Sequence, residues 1–307
     1  MNRKQVSLAV ALIGALLLPL TPATAETVSI SPTSEITFDN EFAQSMRFDA
    51  LGRAWIWNSV RSDTVPYRLA IFERAPGAWA RVQRVKAKKL IVNTLRFDSD
   101  GKAYATNFLK NEIVTWRVTD SGTVRKEQRV ALRGRANPLD AFPNGEGSLF
   151  VLFGNRIDEF ELPLRRKERP VRTIYSASPL YSKLVALADG TVFVMSFATN
   201  ARIEVFDASQ SGVAEPARTI LIDGTLSTDS NPTDIALTSD GDVAVVYWLS
   251  GIAIFSTSAS GSSVTPDTWY PIEAPLDNPQ GVDFGPNGVM GIVDYAASTA
   301  VKVYFEN

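Results

Sequence analysis

The stretch Leu95-Arg-Phe-Asp-Ser-Asp-Gly101 decides the fold, because versions of it recur along the chain. The close copies are Met46-Arg-Phe-Asp-Ala-Leu-Gly52, Ile235-Ala-Leu-Thr-Ser-Asp-Gly241 and Val282-Asp-Phe-Gly-Pro-Asn-Gly288, and two weaker copies end at Gly147 and Gly190. Each copy is typical of a short strand that closes in a glycine turn. Successive turn glycines lie 43 to 51 residues apart, so the chain consists of six units of similar length.

Each unit continues with three further strand-like segments. An apolar run follows the turn glycine, a third run ends in an aromatic residue such as Trp116 or Phe206, and a more polar run precedes the next unit. Short strands separated by Gly, Asn and Asp turns, without a helical period, are typical of β-propellers. We therefore predict an all-β fold, a six-bladed β-propeller of four-stranded antiparallel blades.

Residues 1–25 have a different pattern. Arg3 and Lys4 precede an apolar run that ends at Leu20, and the small-residue sequence Ala23-Thr24-Ala25 follows. This is the pattern of a secretory signal peptide, and the apolar run is shorter than the roughly 20 residues that a membrane-spanning helix needs. We predict cleavage after Ala25 and a single propeller domain over residues 26–307, with no transmembrane anchor after cleavage.

The predicted location of the protein is secreted or periplasmic, in a bacterium. The chain has no cysteine, and its one Asn-x-Ser/Thr acceptor, at Asn231, is blocked by proline. Exported proteins without disulfides or glycosylation sites are more typical of bacteria than of eukaryotes.

The last unit lacks a fourth strand, since two residues follow Phe305. A strand from elsewhere is needed to complete this blade and to remove an open edge. Residues 27–31 alternate polar and apolar side chains. We predict that this N-terminal segment pairs with residues 301–305 and closes the ring.

Composition excludes several classes of chemistry. Among 307 residues there is no histidine and no cysteine. This excludes zinc sites built on imidazole or thiolate, cysteine nucleophiles, disulfides and Ser-His-Asp triads. A general base that works near neutral pH would have to be a carboxylate, a lysine or a metal-bound water.

The last unit resembles an NHL repeat. The resemblance lies in Asn278-Pro-Gln-Gly-Val-Asp-Phe-Gly-Pro-Asn-Gly288, Gly291-Ile-Val-Asp294 and Val301-Lys-Val-Tyr-Phe305, and Asn231-Pro-Thr-Asp-Ile-Ala-Leu-Thr-Ser-Asp-Gly241 is a second good copy. The chain is thus similar to NHL-repeat propellers, and more distantly to gluconolactonase-like propellers. That fold carries lactonases, lyases and pure binding modules. The lyases that resemble this repeat use histidines, which this chain lacks.

The resemblance implies one functional face, where the loops that enter the innermost strands surround a central channel. The candidate residues at this channel mouth are Asn58, Asn107, Asp140, Asp234, Asn278, Asp283 and Asp294. In one interpretation, their amide and carboxylate oxygens bind Ca²⁺ or a polar ligand. In the other, they bond nearby backbone groups, while Arg47, Arg96 and Lys183 neutralise aspartates across the channel.

Charge is unevenly distributed along the chain. Residues 201–307 contain 3 basic and 14 acidic side chains, whereas the densest basic segment lies on the predicted outermost strand of the first blade. Its cations, here named the basic rim, are Arg81, Arg84, Lys86, Lys88 and Lys89. They either dock on an anionic surface or protect an edge strand from aggregation. A net negative exported protein is not expected to bind nucleic acid.

These observations predict a non-enzymatic binding or interaction module without a cofactor. The predicted partner is a protein or an anionic cell-envelope polymer. The alternative is a Ca²⁺-dependent hydrolase of the lactonase type, with its site at the channel mouth.

Overall fold

The structure is a computed structural model, and it describes residues 24–29, 32–37, 43, 45–57, 69–76, 78–85, 92–119, 123–132, 137–166, 168–176, 181–196, 202–222, 224, 232–248, 250–271, 279–294 and 300–305. The N-terminal part contributes β1 (Glu26–Thr27) and β2 (Ser34–Thr37). Blade 1 contains β3 (Ser45–Phe48), β4 (Ala54–Trp57), β5 (Leu69–Ala75) and β6 (Ala78–Val85). Blade 2 contains β7 (Val92–Phe97), β8 (Lys102–Asn107), β9 (Glu112–Val118) and β10 (Val124–Ala131).

The remaining strands follow the same order along the chain. Blade 3 contains β11 (Asp140–Pro143), β12 (Ser148–Phe153), β13 (Arg156–Glu161) and β14 (Arg172–Ser176). The chain of blade 4 contains β15 (Tyr181–Ala186), β16 (Val192–Ser196), β17 (Arg202–Phe206), β18 (Gly212–Ala214) and β19 (Arg218–Ile222). That of blade 5 contains β20 (Pro232–Leu237), β21 (Val243–Tyr247), β22 (Gly251–Phe255), β23 (Gly261–Val264) and β24 (Thr268–Pro271). Blade 6 contains β25 (Pro279–Gly285), β26 (Val289–Asp294) and β27 (Ala300–Phe305).

These strands form six small sheets within the described ranges, so the predicted six-bladed β-propeller is confirmed. Two short 3₁₀ turns, Phe108–Lys110 and Pro286–Gly288, interrupt the strands. In the same part of the chain, no helix has the length and apolar character needed to cross a bilayer.

In blades 1 to 3, the turn between the first two strands is stabilised by the side-chain oxygen of an Asp or Asn at its start. In blade 1, Asp49 Oδ1 accepts the N–H groups of Leu51 and Arg53, both at 3.0 Å. Gly52 closes this turn with φ of +73°, a left-handed conformation that glycine adopts at little cost. Asp98 and Asn144 accept backbone N–H groups in the same way in blades 2 and 3. The recurring Asp-x-x-Gly pattern is therefore a turn signal.

The core lies between blades rather than inside one layer. Each pair of neighbouring blades, including blades 6 and 1, shares its own cluster of buried side chains in the described residues. Trp55 and Trp57 pack from blade 1 onto blade 2, and Phe193 and Phe255 meet between blades 4 and 5. Because the blade 6–blade 1 interface is built like the others, the ring is closed.

The N-terminal segment closes the ring, as predicted, but through a different strand. The predicted pairing of residues 27–31 with β27 is wrong. Instead β2 pairs antiparallel with β27, with Ser34 opposite Val303 and Ile36 opposite Val301. Ile36 is 1% exposed and packs between blades 6 and 1, so its burial favours this register. The earlier strand, β1, runs parallel to β24 at the outer edge of blade 5.

Within the part of the chain that the structure describes, three blades have a fifth strand that we did not predict. β18 runs parallel to β14 at the edge of blade 3, β23 runs parallel to β19 at the edge of blade 4, and β1 covers blade 5. Each of these strands directly precedes, along the chain, the outer strand that completes the following blade: β18 precedes β19, β23 precedes β24 and β1 precedes β2. They therefore tie neighbouring blades together at the outside of the ring.

Candidate functional site: the channel charge cluster and the outer basic strands

The innermost strands of the blades line the central axis and contact one another in sequence around the ring. Six charged side chains occupy two levels of this lining, two residues apart along the strands. The level nearer the start of the inner strands holds Asp140, Lys183 and Asp234. The level two residues further along holds Arg47, Arg96 and Asp283. Because alternate residues of a strand point to the same side, both levels face the same way. We name these six residues the channel cluster; its three cations and three anions balance.

Arg47 and Asp234 form the best-defined pair of the channel cluster. Arg47 Nη2 donates to both carboxylate oxygens of Asp234, at 3.0 and 2.9 Å, and both side chains are about 2% exposed. Arg47 Nη1 also donates to the carbonyl oxygens of Met46 and Val282. Burial alone would raise the pKa of Asp234, but Arg47, Lys183 and Arg96 outweigh burial and lower it. Asp234 is therefore held as a carboxylate.

Arg96 reaches across the ring from blade 2 to blade 5. Its Nη2 donates to the carbonyl oxygen of Ile235 at 2.9 Å and lies 3.6 Å from Asp140 and 3.8 Å from Asp234. Its guanidinium also lies over the ring of Phe142, 5.5 Å from the centroid. Burial and the neighbouring Arg47 lower the pKa of Arg96 despite these carboxylates. Burial likewise lowers the pKa of Lys183, which lies on β15, the inner strand of blade 4.

The three carboxylates of the channel cluster also join neighbouring blades. Asp140 Oδ2 accepts the N–H of Leu184 at 3.0 Å, and Asp234 Oδ2 accepts the N–H of Val282 at 3.2 Å. Asp283 Oδ2 accepts the N–H of Phe48 at 2.7 Å. Each bond links the inner strand of one blade to that of the next. The carboxylate oxygens are therefore engaged by groups of the protein itself.

Asp283 is the least strongly compensated of these carboxylates. Arg47 Nε lies 3.7 Å from Asp283 Oδ1, beyond hydrogen-bond distance. Burial raises the pKa of Asp283 to about 6, although Arg47, the Phe48 N–H and Arg96 act in the opposite direction. Burial therefore moves the pKa of Asp283 toward neutral pH.

The structure brings together only part of the predicted channel-mouth set. Asp140, Asp234 and Asp283 lie in the channel cluster, joined by the predicted cations. Asn107 is buried at the end of β8 but donates to Glu112 at 2.8 Å, within its own blade. Asp294 is buried at the end of β26. The pKa of Tyr304 is raised by the burial of that tyrosine and, to a smaller extent, by the charge of Asp294. Asn58 and Asn278 lie outside the described residues.

No group of three or more acidic side chains in the described ranges could hold a metal ion. In a Ca²⁺ site, several carboxylate oxygens would surround one point at about 2.3–2.6 Å. Here, instead, the oxygens of the channel carboxylates accept backbone N–H groups and the guanidinium of Arg47. The arrangement matches the interpretation in which cations neutralise aspartates across the channel.

The outer strands of blades 1 and 2 form a separate, exposed basic surface. Arg81 and Arg84 of the predicted basic rim are exposed on β6, while Lys86, Lys88 and Lys89 lie outside the described residues. Arg125, Lys126 and Arg129 are exposed on the neighbouring β10 and do not belong to the predicted set. The dense basic run 125–129 is the signal that could have revealed them. We name β6 and β10 together the outer basic strands.

A side chain holds the two outer basic strands side by side. Gln83 of β6 accepts the N–H of Val124 on β10 at 3.2 Å and donates to its carbonyl oxygen at 3.3 Å. Arg125 and Lys126 have no ion-pair partner among the described residues. The basic surface therefore extends over two blades.

A cavity of about 290 Å³ opens between blades 2 and 3 on the side of the glycine turns. Asp98, Asp100, Lys102 and Arg117 form its polar wall, and 162–163 form an apolar wall. Lys102 and Arg117 both pair with Glu127 of β10, at 2.9 and 2.6 Å. The cavity is therefore close to the outer basic strands and distinct from the channel cluster.

No family model matches this chain. No curated protein matches it either. Solved structures show similarity at the level of the fold. A chain in a crystal structure of the mitotic checkpoint complex aligns with a TM-score of 0.61 and 11% identity, over 100% of this chain and 99% of that chain. The WD40 β-propeller domain of Doa1 aligns with a TM-score of 0.55 and 13% identity, over 90% and 97%.

A third similar structure is virginiamycin B lyase from Staphylococcus aureus, with a TM-score of 0.51 and 16% identity over 89% of this chain and 88% of that chain. A catalytically inactive histidine-to-alanine variant of that lyase, with quinupristin, is equally similar, with a TM-score of 0.52. Identities this low show the fold alone. The chain is thus a β-propeller, and the specific resemblance to NHL repeats stays a prediction.

Proposed function

We propose that this protein is a binding module that recognises an anionic partner, a protein or a cell-envelope component, through the outer basic strands. The observation that carries the proposal is the exposed charge of Arg125 and Lys126, for which the described ranges contain no ion-pair partner, on the strand next to Arg81 and Arg84. Exposed charge of one sign attracts an oppositely charged partner and speeds its association. The channel cluster, by contrast, has no net charge, and its carboxylates form hydrogen bonds between neighbouring blades.

Two further points support binding over catalysis. The similar lyase loses its activity when a histidine is replaced, and this chain contains no histidine. The carboxylates nearest the axis already have partners in the protein. We propose accordingly that the channel cluster is structural and that binding needs no cofactor.

We also propose that the protein is exported after loss of residues 1–25. The pattern of this leader supports the proposal, and the first strand, β1, begins directly after the predicted cleavage site at Ala25. N-terminal sequencing of protein recovered from the exported fraction should begin at Glu26. A sequence that begins at residue 1 would contradict this.

The binding proposal is tested with poly-L-glutamate and with isolated cell envelopes as probes. In Arg125→Ser/Lys126→Ser, we expect at least a tenfold loss of affinity for both, because two exposed cations are removed from β10. Binding by the wild type should weaken as salt rises, since exposed charges are screened over about 10 Å at 0.1 M salt. Affinity is measured by sedimentation of envelopes and by titration of labelled poly-L-glutamate.

The matched control is Arg165→Ser/Arg166→Ser, which removes the same charge from exposed positions on blade 3. This control should bind as the wild type does. Equal losses in both double variants would mean that net charge, not the outer basic strands, governs binding. Unchanged binding in Arg125→Ser/Lys126→Ser would reduce these cations to protectors of an edge strand.

A further inference from the structure

The fold has a recurring way of covering the outer edge of a blade. Blades 3, 4 and 5 each gain a short fifth strand, of three, four and two residues respectively. All three run parallel to the strand that they cover. A run of about four edge residues is therefore enough to accept a parallel strand in this protein.

No such strand covers β10 of blade 2 in the described part of the chain. At the first residue of β10, a side chain takes the place of such a strand: the side-chain amide of Gln83 is hydrogen-bonded to both the N–H and the C=O of Val124. A primary amide offers a donor and an acceptor, as a peptide group does. Gln83 thus replaces a fifth strand at one position. Among the described residues no strand pairs with the rest of this edge, from which the Gln128 side chain donates to the carbonyl oxygen of Leu164 at 3.1 Å.

The open part of the edge is residues 128–131. The pairing of β10 with β9 shifts between Lys126 and Gln128, where Glu127 forms a bulge, and is regular beyond it. Leu132 N–H donates to the carbonyl oxygen of Asn111 at 2.9 Å, so it points toward the paired side. Because backbone groups alternate along an antiparallel ladder, those of Arg129 and Ala131 point toward the open side. Both residues are exposed.

The charge around this edge selects the partner. Arg125 and Lys126 have no ion-pair partner among the described residues, and Arg129 shares Glu112 with Asn107. A second copy of this strand would bring like charges together, which is unfavourable in paired strands. An acidic strand would instead place its carboxylates opposite these cations.

We propose that the open edge of β10 accepts an extended acidic peptide of a partner protein as a parallel fifth strand of blade 2. The inference rests on the proposed function and names the partner class for the same surface. Backbone hydrogen bonds to Arg129 and Ala131 would supply register, and the neighbouring cations would supply specificity. The bulge and the positive charge disfavour pairing of β10 with an uncharged strand edge of another molecule.

The test uses a fluorescein-labelled octapeptide of alternating Glu and Val, titrated into the full chain by fluorescence anisotropy. Ala131→Pro removes the outward N–H without touching the bonds to β9, and proline is tolerated at such edge positions. We expect this variant to bind the peptide at least tenfold more weakly. The matched control Ala131→Thr keeps the N–H and should bind within about twofold of the wild type. Thermal unfolding verifies that both variants are folded.

Hydrogen exchange provides a second readout. In the wild type, the peptide should slow exchange of the Arg129 and Ala131 amides, and an octapeptide of alternating Lys and Val should not. Equal binding by Ala131→Pro and unchanged exchange, with binding lost in Arg125→Ser/Lys126→Ser, would overturn this inference and leave the proposed function intact. Loss in neither variant would overturn both. Self-association that Ala131→Pro abolishes would assign the edge to a second copy and overturn the peptide proposal.

Discussion

At the scale of single residues, the channel cluster shows how burial and pairing set the state of a charge. Both carboxylate oxygens of Asp234 accept hydrogen bonds from Arg47, and the pKa of Asp234 is lowered. Arg47 Nε lies 3.7 Å from the carboxylate of Asp283, and the pKa of Asp283 is raised. Removing one partner from a buried pair costs about 3–5 kcal/mol, because a charge is left uncompensated. The contributions of Asp234 and Asp283 to the free energy of unfolding therefore change with pH in opposite directions.

Asp283 gives the pH prediction. Its pKa is about 6 in the folded state, above the value of roughly 3.9 for an unfolded aspartate, so folding favours the protonated form. Its contribution to stability is present below about pH 4 and is lost as pH rises to about 6. In Asp283→Asn this contribution disappears. The free energy of unfolding of the variant, relative to the wild type, should rise between pH 4 and 6 and then level off.

The measurement is urea denaturation at a series of pH values. Asp207→Asn, at an exposed position on blade 4, is the control for loss of a carboxylate as such. A difference between Asp283→Asn and the wild type that stays flat, or falls, from pH 4 to 6 would contradict the assignment.

At the scale of elements, β2 is the strand on which closure of the ring depends. Ile36 packs into the blade 6–blade 1 cluster together with Met46 and Val303, while Glu35 faces solvent and pairs with Lys302 at 2.6 Å. Glycine at position 285 permits the close approach of these blades, since a Cβ there would lie 2.8 Å from Phe48. The interface has little room for rearrangement.

We predict that Ile36→Ala lowers the free energy of unfolding by about 2–4 kcal/mol, because it removes a buried side chain and leaves a cavity. Glu35→Ala, on the adjacent residue of the same strand, should cost less than about 1 kcal/mol, since exposed ion pairs contribute little. Urea denaturation measures both. Similar effects of the two substitutions would mean that β2 does not close the ring through its buried face.

At the scale of the whole molecule, charge divides the ring. Blades 1 and 2 carry the outer basic strands, whereas the described residues of blade 5 include Asp234, Asp240, Asp242 and Asp267 and no lysine or arginine. Like charge from Asp267 and Asp240, after burial, raises the pKa of Asp242. Blades 2 and 5 lie opposite each other in the ring, and the channel cluster between them is neutral. The basic side is therefore the side that we expect to meet an anionic partner.

The last prediction concerns Ca²⁺ in the central channel. A ligand that binds only the folded state adds RT ln(1 + [L]/Kd) to its stability. Because backbone N–H groups and Arg47 already occupy the channel carboxylates, thermal unfolding should give the same midpoint in chelator and in millimolar Ca²⁺. Mg²⁺ at equal concentration is the control. A rise of several degrees that is specific to Ca²⁺ would revive the lactonase-type alternative.

The sequence by itself determined the six blades, because each unit carries its own turn chemistry. Asp49-Ala-Leu-Gly52 and Asp98-Ser-Asp-Gly101 specify their turns through contacts within five residues, so a local pattern is enough. The resemblance of the same repeat to NHL-type propellers likewise implied that Arg47, Arg96 and Asp234 lie at the channel. Such periodic features are readable because they depend on the chain's own next few residues.

Tertiary structure alone decided which segments meet. Residues 27–31 and β2 both suit a closing strand, and burial of Ile36 between two blades selects β2. The fifth strands β18 and β23 have no strong pattern of their own, because they form through backbone bonds to a neighbouring blade. The pairing of Arg47 with Asp234, 187 residues away, depends on the same closed ring. Such choices are made by contacts between distant parts of the chain, which local propensity does not encode.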